Sequence, residues 1–293
     1  MNVKFADNIN LRMIDALNSV LPHAQRAQMA VAFVKSSGME LLEPLLNACL
    51  AEGGNIEFIV GLDFHTTDAE SLQMMYELTT MHPSKFRFYC YSDPTDAAAT
   101  YHPKLYLFER NESVTGIIGS SNLTRGGLSE NIEINAVLEF TSQDQEGEAL
   151  KDIYARIKYQ PTRFSPDIDY IQAYAEIIRR GAVSHGVARD KSTQHALAEI
   201  RQREQSLPKP FVSPDTLQGW QKLVFSKLPN TIFQTSELYQ YIDEFSPIYP
   251  NNQHIEAKIR QILQQLRDLG IITSLGEGRW IKIDIMGNTP TDE

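Results

Sequence analysis

Apolar residues recur along this chain with two alternating periods. Ile9, Met13, Ile14, Leu17 and Leu21 fall on one stripe at helical spacing, which predicts a helix over residues 8 to 22. Gln28 to Val34 reads as a short buried strand. Ser36 opens a helix that runs to about Ala51 and ends at Glu52-Gly-Gly-Asn55. Ile56 to Gly61 predicts a second strand, Asp68 to Met81 a helix, and Phe86 to Tyr91 a third strand. Strand, helix, strand, helix, strand is the pattern of an α/β domain with a largely buried sheet. Tyr101 to Glu109, Val114 to Ile118 and Ile132 to Phe140 then alternate as strands that continue that sheet. Gly147 to Tyr159 closes the domain as a helix.

The chemistry concentrates in these last strands. Side chains two apart on a strand share a face, so His102 and Lys104 are expected to point into one pocket. The run Val114 to Ile118 ends in Gly119-Ser120-Ser121-Asn122. Small residues there are expected to let backbone N–H groups and Asn122 approach an anionic oxygen. Glu133 lies on the third run, where its carboxylate is expected to reach a ring nitrogen of His102. A nucleophile, a cation, an amide and an orienting carboxylate are parts that phosphoryl transfer without a metal requires.

His102-x-Lys104 followed by Gly119-Ser120-x-Asn122 resembles the phospholipase D superfamily, and the downstream Glu133 resembles its restriction-endonuclease branch. The lipid-cleaving members carry an Asp five residues after the Lys. Glu109 stands there in this chain, and the gap to Gly119 is longer than theirs. The resemblance therefore implies a nuclease with a mixed sheet and flanking helices. Its catalytic residues would be His102, Lys104, Ser120, Asn122 and Glu133, working through a phosphohistidine with no cofactor or metal. Double-copy members pair two His-x-Lys motifs, whereas among the seven histidines here only His102 has a lysine two residues on. That implies a homodimer with one composite site.

Composition changes this picture little. The 293 residues suffice for two domains. The formal net charge of -10 counts mildly against DNA as a partner, though local basic patches matter more than the total. Cys49 and Cys90 lie in apolar surroundings, as reduced thiols of a cytoplasmic protein would. No secretory signal and no membrane-spanning run is read. Asp63, His65 and Asp68 resemble metal ligands in spacing but read better as a polar turn with Asp68 as helix N-cap. Asp93 to Ala99 reads as a loop before His102.

Residues 1–159 are thus expected to form the nuclease domain, 160–212 a helical connector, 213–285 a second domain and 286–293 a flexible tail. In the second domain Leu217 to Leu228 predicts a helix, and Gln234-Thr-Ser-Glu237 starts another. Pro250-Asn-Asn252 opens a long helix with an apolar stripe of Ile255, Ile259, Ile262, Leu263, Leu266 and Leu269. Ile271 to Ser274, the turn Gly276-Glu-Gly278 and Arg279 to Ile283 make a hairpin. Helices followed by a short hairpin describe a winged helix-turn-helix. The words Lys258-Ile-Arg-Gln261 and Leu266-Arg-Asp-x-Gly270, with Gly-Glu-Gly-Arg-Trp280, resemble the C-terminal winged helix of DpnI-type restriction enzymes. That resemblance implies double-stranded DNA as partner and brings adenine methylation as a feature of the site read. Asn252, Gln253, His254, Lys258, Arg260 and Arg279 are the candidate DNA contacts, by their amide and cationic groups. The reading is a restriction-type endonuclease. Its rivals are a phosphodiesterase acting on lipid or nucleotide substrates and a catalytically silent DNA-binding regulator.

Overall fold

The computed structural model describes residues 2–62, 66–92, 100–141, 144–183, 191–208, 212–248 and 254–283. Asp63, His65, the loop Asp93 to Ala99, Asn252, Gln253 and the tail 286–293 lie outside the described residues. The chain divides into two compact units, residues 1–150 with 160–210 and residues 151–159 with 211–293.

The first unit is built on a mixed eight-stranded sheet. In chain order its elements are β1 (Asn2–Ala6), α1 (Met13–Val20), β2 (Arg26–Val31), α2 (Ser36–Ala51), β3 (Asn55–Gly61), α3 (Ala69–Met81), β4 (Phe86–Tyr91), β5 (Lys104–Arg110), β6 (Ser113–Gly119), β7 (Asn135–Thr141), α4 (Gln145–Lys158), β8 (Arg163–Phe164), α5 (Ile168–Val183) and α6 (Lys191–Ser206). Strand order is β1-β7-β6-β5-β2-β3-β4-β8. β2, β3 and β4 run parallel, and β5 joins β2 antiparallel, so the strands after residue 100 continue the α/β sheet. The expected α/β architecture with flanking helices is what forms. β1 is an addition to it. Only Ala6 of that strand is fully buried, and Val3 and Phe5 are exposed, so an edge strand gave the pattern no buried face to reveal.

Alternation along β5 divides its side chains between the two faces of the sheet. Tyr106 and Phe108 enter the core shared with Met13, Leu17, Met39, Leu42, Leu72 and Met75 from the helices, whereas Leu105 and Leu107 are buried on the other face. Asp68 caps α3 as expected, accepting from Ser71 N at 2.9 Å, and also takes the N–H of Ser36 at the start of α2. Both cysteines are buried free thiols. Burial pushes the Cys49 thiol up to about 11, and that of Cys90 upward as well. No described helix is long and apolar enough to cross a membrane.

Residues 160–212 are not a connector. Tyr170, Ile171, Tyr174 and Ile177 of α5, with Ile200 and Leu207, belong to the core of the first unit. The hydroxyl of Tyr174 reaches Thr67 O at 2.9 Å. Pro161 and Pro166 precede α5 and do not uncouple it from the sheet.

The second unit contains α7 (Gly219–Ser226), β9 (Phe233–Gln234), a 3₁₀ turn over Thr235–Tyr241, α8 (Ile242–Phe245), α9 (Ile255–Asp268), β10 (Ile272–Gly276) and β11 (Arg279–Lys282). The small sheet is ordered β10-β11-β9, antiparallel throughout, as a winged helix-turn-helix requires. Its core joins Trp220, Val224, Phe233, Leu238 and Phe245 to the α9 stripe, with Trp280 donating to Thr235 Oγ1 at 2.8 Å. The expected domain start at 213 omits part of this unit. α4 is shared between the two units, and its residues from Lys151 onward belong to the second. Asp152 Oδ1 accepts from Trp220 N at 2.8 Å, supplying the first turn of α7 with an acceptor. Gly219 stands at φ +52, where a Cβ would meet that carboxylate at 1.6 Å. The Tyr159 hydroxyl donates to Thr216 O at 3.2 Å.

Candidate active site

Antiparallel pairing brings the proposed chemistry to one end of the large sheet. Lys104 begins β5 opposite Val31, the last residue of β2, and Gly119 ends β6 opposite Asn135, the first residue of β7. β5 starts at Lys104 rather than Tyr101, because Pro103 has no N–H to give a ladder. His102 therefore precedes the strand and is exposed, while Lys104 is 8% exposed. The two side chains still meet. Lys104 Nζ lies 2.8 Å from His102 Nδ1 and 2.9 Å from Nε2. Nearly equal distances mean that the ammonium is not committed to one nitrogen lone pair. Burial lowers the lysine's pKa, and the charge of Glu133 opposes that shift.

Glu133 does not take the place expected of it against His102. Its Oε2 accepts from Ser120 Oγ in a short hydrogen bond, and its Oε1 accepts from Asn131 Nδ2 at 3.4 Å. Ser120 Oγ in turn accepts from Ile134 N at 3.0 Å. β7 begins only at Asn135, so Glu133 stands in the loop before it, between the exposed side chains of Ile132 and Ile134.

The Gly119-Ser-Ser-Asn turn also differs from expectation. Both serine N–H groups are already used: Ser120 N donates to Ile134 O at 3.1 Å and Ser121 N to Asn135 Oδ1 at 3.2 Å. Glycine at 119 makes room for β7, since a Cβ there would lie 2.2 Å from Ile134 O. The Oδ1 of Asn122 is covered and has no hydrogen-bond partner. A bare buried acceptor of this kind costs free energy unless something else satisfies it.

Sequence reading missed what holds this turn. Asn135 is fully buried; its Nδ2 donates to Ala6 O at 3.2 Å and to Ser121 Oγ at 2.9 Å. Tyr106 OH donates to Ser121 O at 2.8 Å. The available signal was an asparagine set between Ile134 and Ala136-Val137-Leu138. Asn135→Ala is expected to cost about 3 kcal/mol, because several buried polar groups lose their partner at once. A lowered denaturation midpoint with unchanged slope is the check; a midpoint equal to that of the wild type would refute the assignment.

In the second unit the nominated contacts separate. Lys258 is half-buried and donates to Gln261 Oε1 at 3.2 Å; burial and then the charge of Arg156 lower its pKa, with Asp152 opposing. It flanks the buried stripe of α9. Arg260 donates to Tyr239 OH at 2.8 Å, beside Glu256 at 3.6 Å. Arg279 is exposed directly after the wing turn, and His254 precedes α9 as an exposed residue. At 100° per residue the face opposite the stripe carries Ala257, Gln261, Gln264 and Asp268, all exposed. Gln264 was not among the nominated contacts. Among the described residues no group of three or more His, Cys, Asp or Glu side chains is placed to hold a metal ion.

Comparison with known proteins follows the two units. Residues 15–152 match the family described as cardiolipin synthase, PLD-like domain, and residues 218–282 match the Dam-replacing HTH domain. Among solved structures the chain is similar to the phospholipase D family member Nuc from Salmonella typhimurium. Identity is 15% and the TM-score 0.41, covering 53% of this chain and 92% of that one. It is similar to NucT from Helicobacter pylori at 11% identity and TM-score 0.39, covering 53% and 94%. Phosphatidylserine synthase from Haemophilus influenzae Rd KW20 matches at 11% identity and TM-score 0.45, covering 70% of this chain and 47% of that one.

Proposed function

Since residues 15–152 form a phospholipase D-like domain and residues 218–282 a Dam-replacing HTH domain, we propose that the protein is a restriction-type endonuclease that hydrolyses DNA phosphodiester bonds without a metal. The observation that carries this reading is the buried ammonium of Lys104 held against both ring nitrogens of His102. A cation there sits beside the attacking ring, where it meets the negative charge of the incoming phosphate.

One ring nitrogen attacks phosphorus, forming an N–P bond as the P–O bond to the leaving strand breaks. The departing oxygen takes a proton from an acid. Water then attacks the phosphohistidine, the N–P bond breaks, and the ring is released with a phosphate end on the product. Lys104 and the Asn122 amide stabilise charge on the non-bridging oxygens. The N–H groups of Ser120 and Ser121 take no part, being already bonded. Glu133 acts through Ser120 and on the charge of Lys104, rather than by orienting His102. The winged helix chooses the site through Gln261, Gln264 and the exposed arginines, and adenine methylation alters that choice.

The leaving-group acid is the histidine of a second copy. His102 is the one histidine of the chain with a lysine two residues on. Ile132 and Ile134 flank Glu133 with 87% and 70% of their surface exposed, and Ile118, beside Gly119, is 39% exposed. Apolar surface around a charged site is what a partner chain would cover.

Adenine-methylated and unmethylated plasmid incubated with the protein in EDTA test this reading. Cleavage is expected to persist in the chelator, with the two plasmids cut at different rates. Absolute dependence on added Mg²⁺ would sink the mechanism. Equal rates would remove methylation from the reading and leave the nuclease.

A further inference from the structure

We propose that Tyr101, clamped by Tyr91 and Arg163, is the positioning residue of His102; the role rests on the reading of His102 as the nucleophile. The ladder of β5 begins at Lys104, and Pro103 offers no N–H, so β-sheet pairing does not fix the backbone of His102. Its imidazole is exposed, and among the described residues its ring nitrogens contact only Lys104 Nζ. Pro103 biases His102 toward an extended backbone but does not anchor it. The anchor lies on the other side, one residue earlier.

Tyr101 is held by its hydroxyl and by its ring. Its hydroxyl donates to Ile59 O at 3.0 Å. Its ring stacks on Tyr91 with centroids 4.5 Å apart and an interplanar angle of 19°. The guanidinium of Arg163, 1% exposed, lies 3.5 Å from the Tyr91 centroid and 5.0 Å from that of Tyr101. A buried cation over two aromatic faces holds both in place. On the remaining side Gly61 leaves room for the ring, because a Cβ there would lie 2.7 Å from Tyr101 Cδ1. Strands β3, β4 and β8 thus all grip the residue that precedes the nucleophile. The Tyr101-His102 peptide carries that grip directly to the nucleophile, and a nucleophile displaced by about 1 Å loses roughly 10²-fold in rate.

The test uses the full chain with histidine labelled by ¹⁵N, and bis(p-nitrophenyl) phosphate as substrate. In the wild type His102 should give one sharp set of ring signals. In Tyr101→Leu and Arg163→Lys it should broaden or split while the other histidines keep their signals. For Tyr101→Leu, kcat should fall roughly 10²-fold with KM within about twofold. Tyr101→Phe keeps the ring and loses only the hydroxyl. It should restore the sharp signal and bring kcat within a few-fold of the wild type. Thermal melts identify which variants fold, and either disrupting variant suffices. A folded variant whose His102 signals match the wild type overturns the proposal, whatever its rate. Disturbed His102 signals in a protein whose wild type cleaves no phosphodiester would leave the clamp standing and sink the nuclease reading instead.

Discussion

His102→Ala is expected to lower DNA cleavage by about four orders of magnitude or more while leaving DNA affinity unchanged. Removal of the attacking nitrogen deletes the covalent route itself, and a neighbouring group does not replace it. Lys104 is a cation, so it has no lone pair to offer while charged. Ser120 Oγ already donates to Glu133 and accepts from Ile134 N. Binding should survive because the winged helix has its own core, built on Trp220, Phe245 and the α9 stripe. Single-turnover plasmid cleavage and a gel-shift titration make the comparison. Acid-labile phosphate trapped on the wild type should be missing from the variant. A purified His102→Ala protein that nicks plasmid at more than about 1% of the wild-type rate would exclude His102 as nucleophile.

A heterodimer of one wild-type chain and one His102→Ala chain should retain no more than about 1% of wild-type activity. If each chain held a complete site, such a dimer would keep half. The larger loss follows from the division of labour proposed for two histidines, one attacking and one protonating the leaving oxygen. General acid catalysis contributes about 10² to 10⁴ in rate. With either ring gone, one of the two steps has no group to perform it. Two affinity tags and sequential purification isolate the heterodimer, and sedimentation gives the state of the wild type. Half-activity of the heterodimer, or a fully active monomer, would refute the composite site. Should the composite site hold, the two strands of a duplex pass through it in turn, and nicked plasmid accumulates before linear product.

The order of elements in the first unit was legible because most of its strands and helices bury one face. β3, α3 and β4 come within a residue of the expected bounds. The misplacements share a cause. Ile132 and Ile134 alternate with Glu133 as a strand would, yet both are exposed and β7 starts after them. Their apolarity serves something other than the fold's own core, so a pattern argument overextended the strand. Residues 160–212 read as a connector because Pro161, Pro166, Gly181 and Gly186 interrupt the local helical patterns. What ties them to the sheet, such as Tyr174 to Thr67, is a contact across 107 residues. In the site, the proximity of His102 and Lys104 was legible from spacing. The role of Gly119 was not, since nothing in a sequence says whether a glycine clears space for a ligand or for a neighbouring strand. Lys258 shows the same limit: its charge drew it into the list of DNA contacts, and the nearness of Arg156 and Asp152 became apparent only in three dimensions.

The edge strand β1 makes the catalytic turn depend on a long-range closure. Ala6 O accepts from Asn135 Nδ2 across 129 residues, and Asn8, at φ 60, donates to Gly127 O at 3.1 Å and Asn131 O at 3.0 Å. The residues that lock the Gly-Ser-Ser-Asn turn therefore lie far from it along the chain, and the lock forms only when that long loop closes. Closure over so long a loop is also among the slowest events of folding. The turn proposed to face the phosphate is thus locked only when the edge strand has docked on β7, so the catalytic end is completed late in folding.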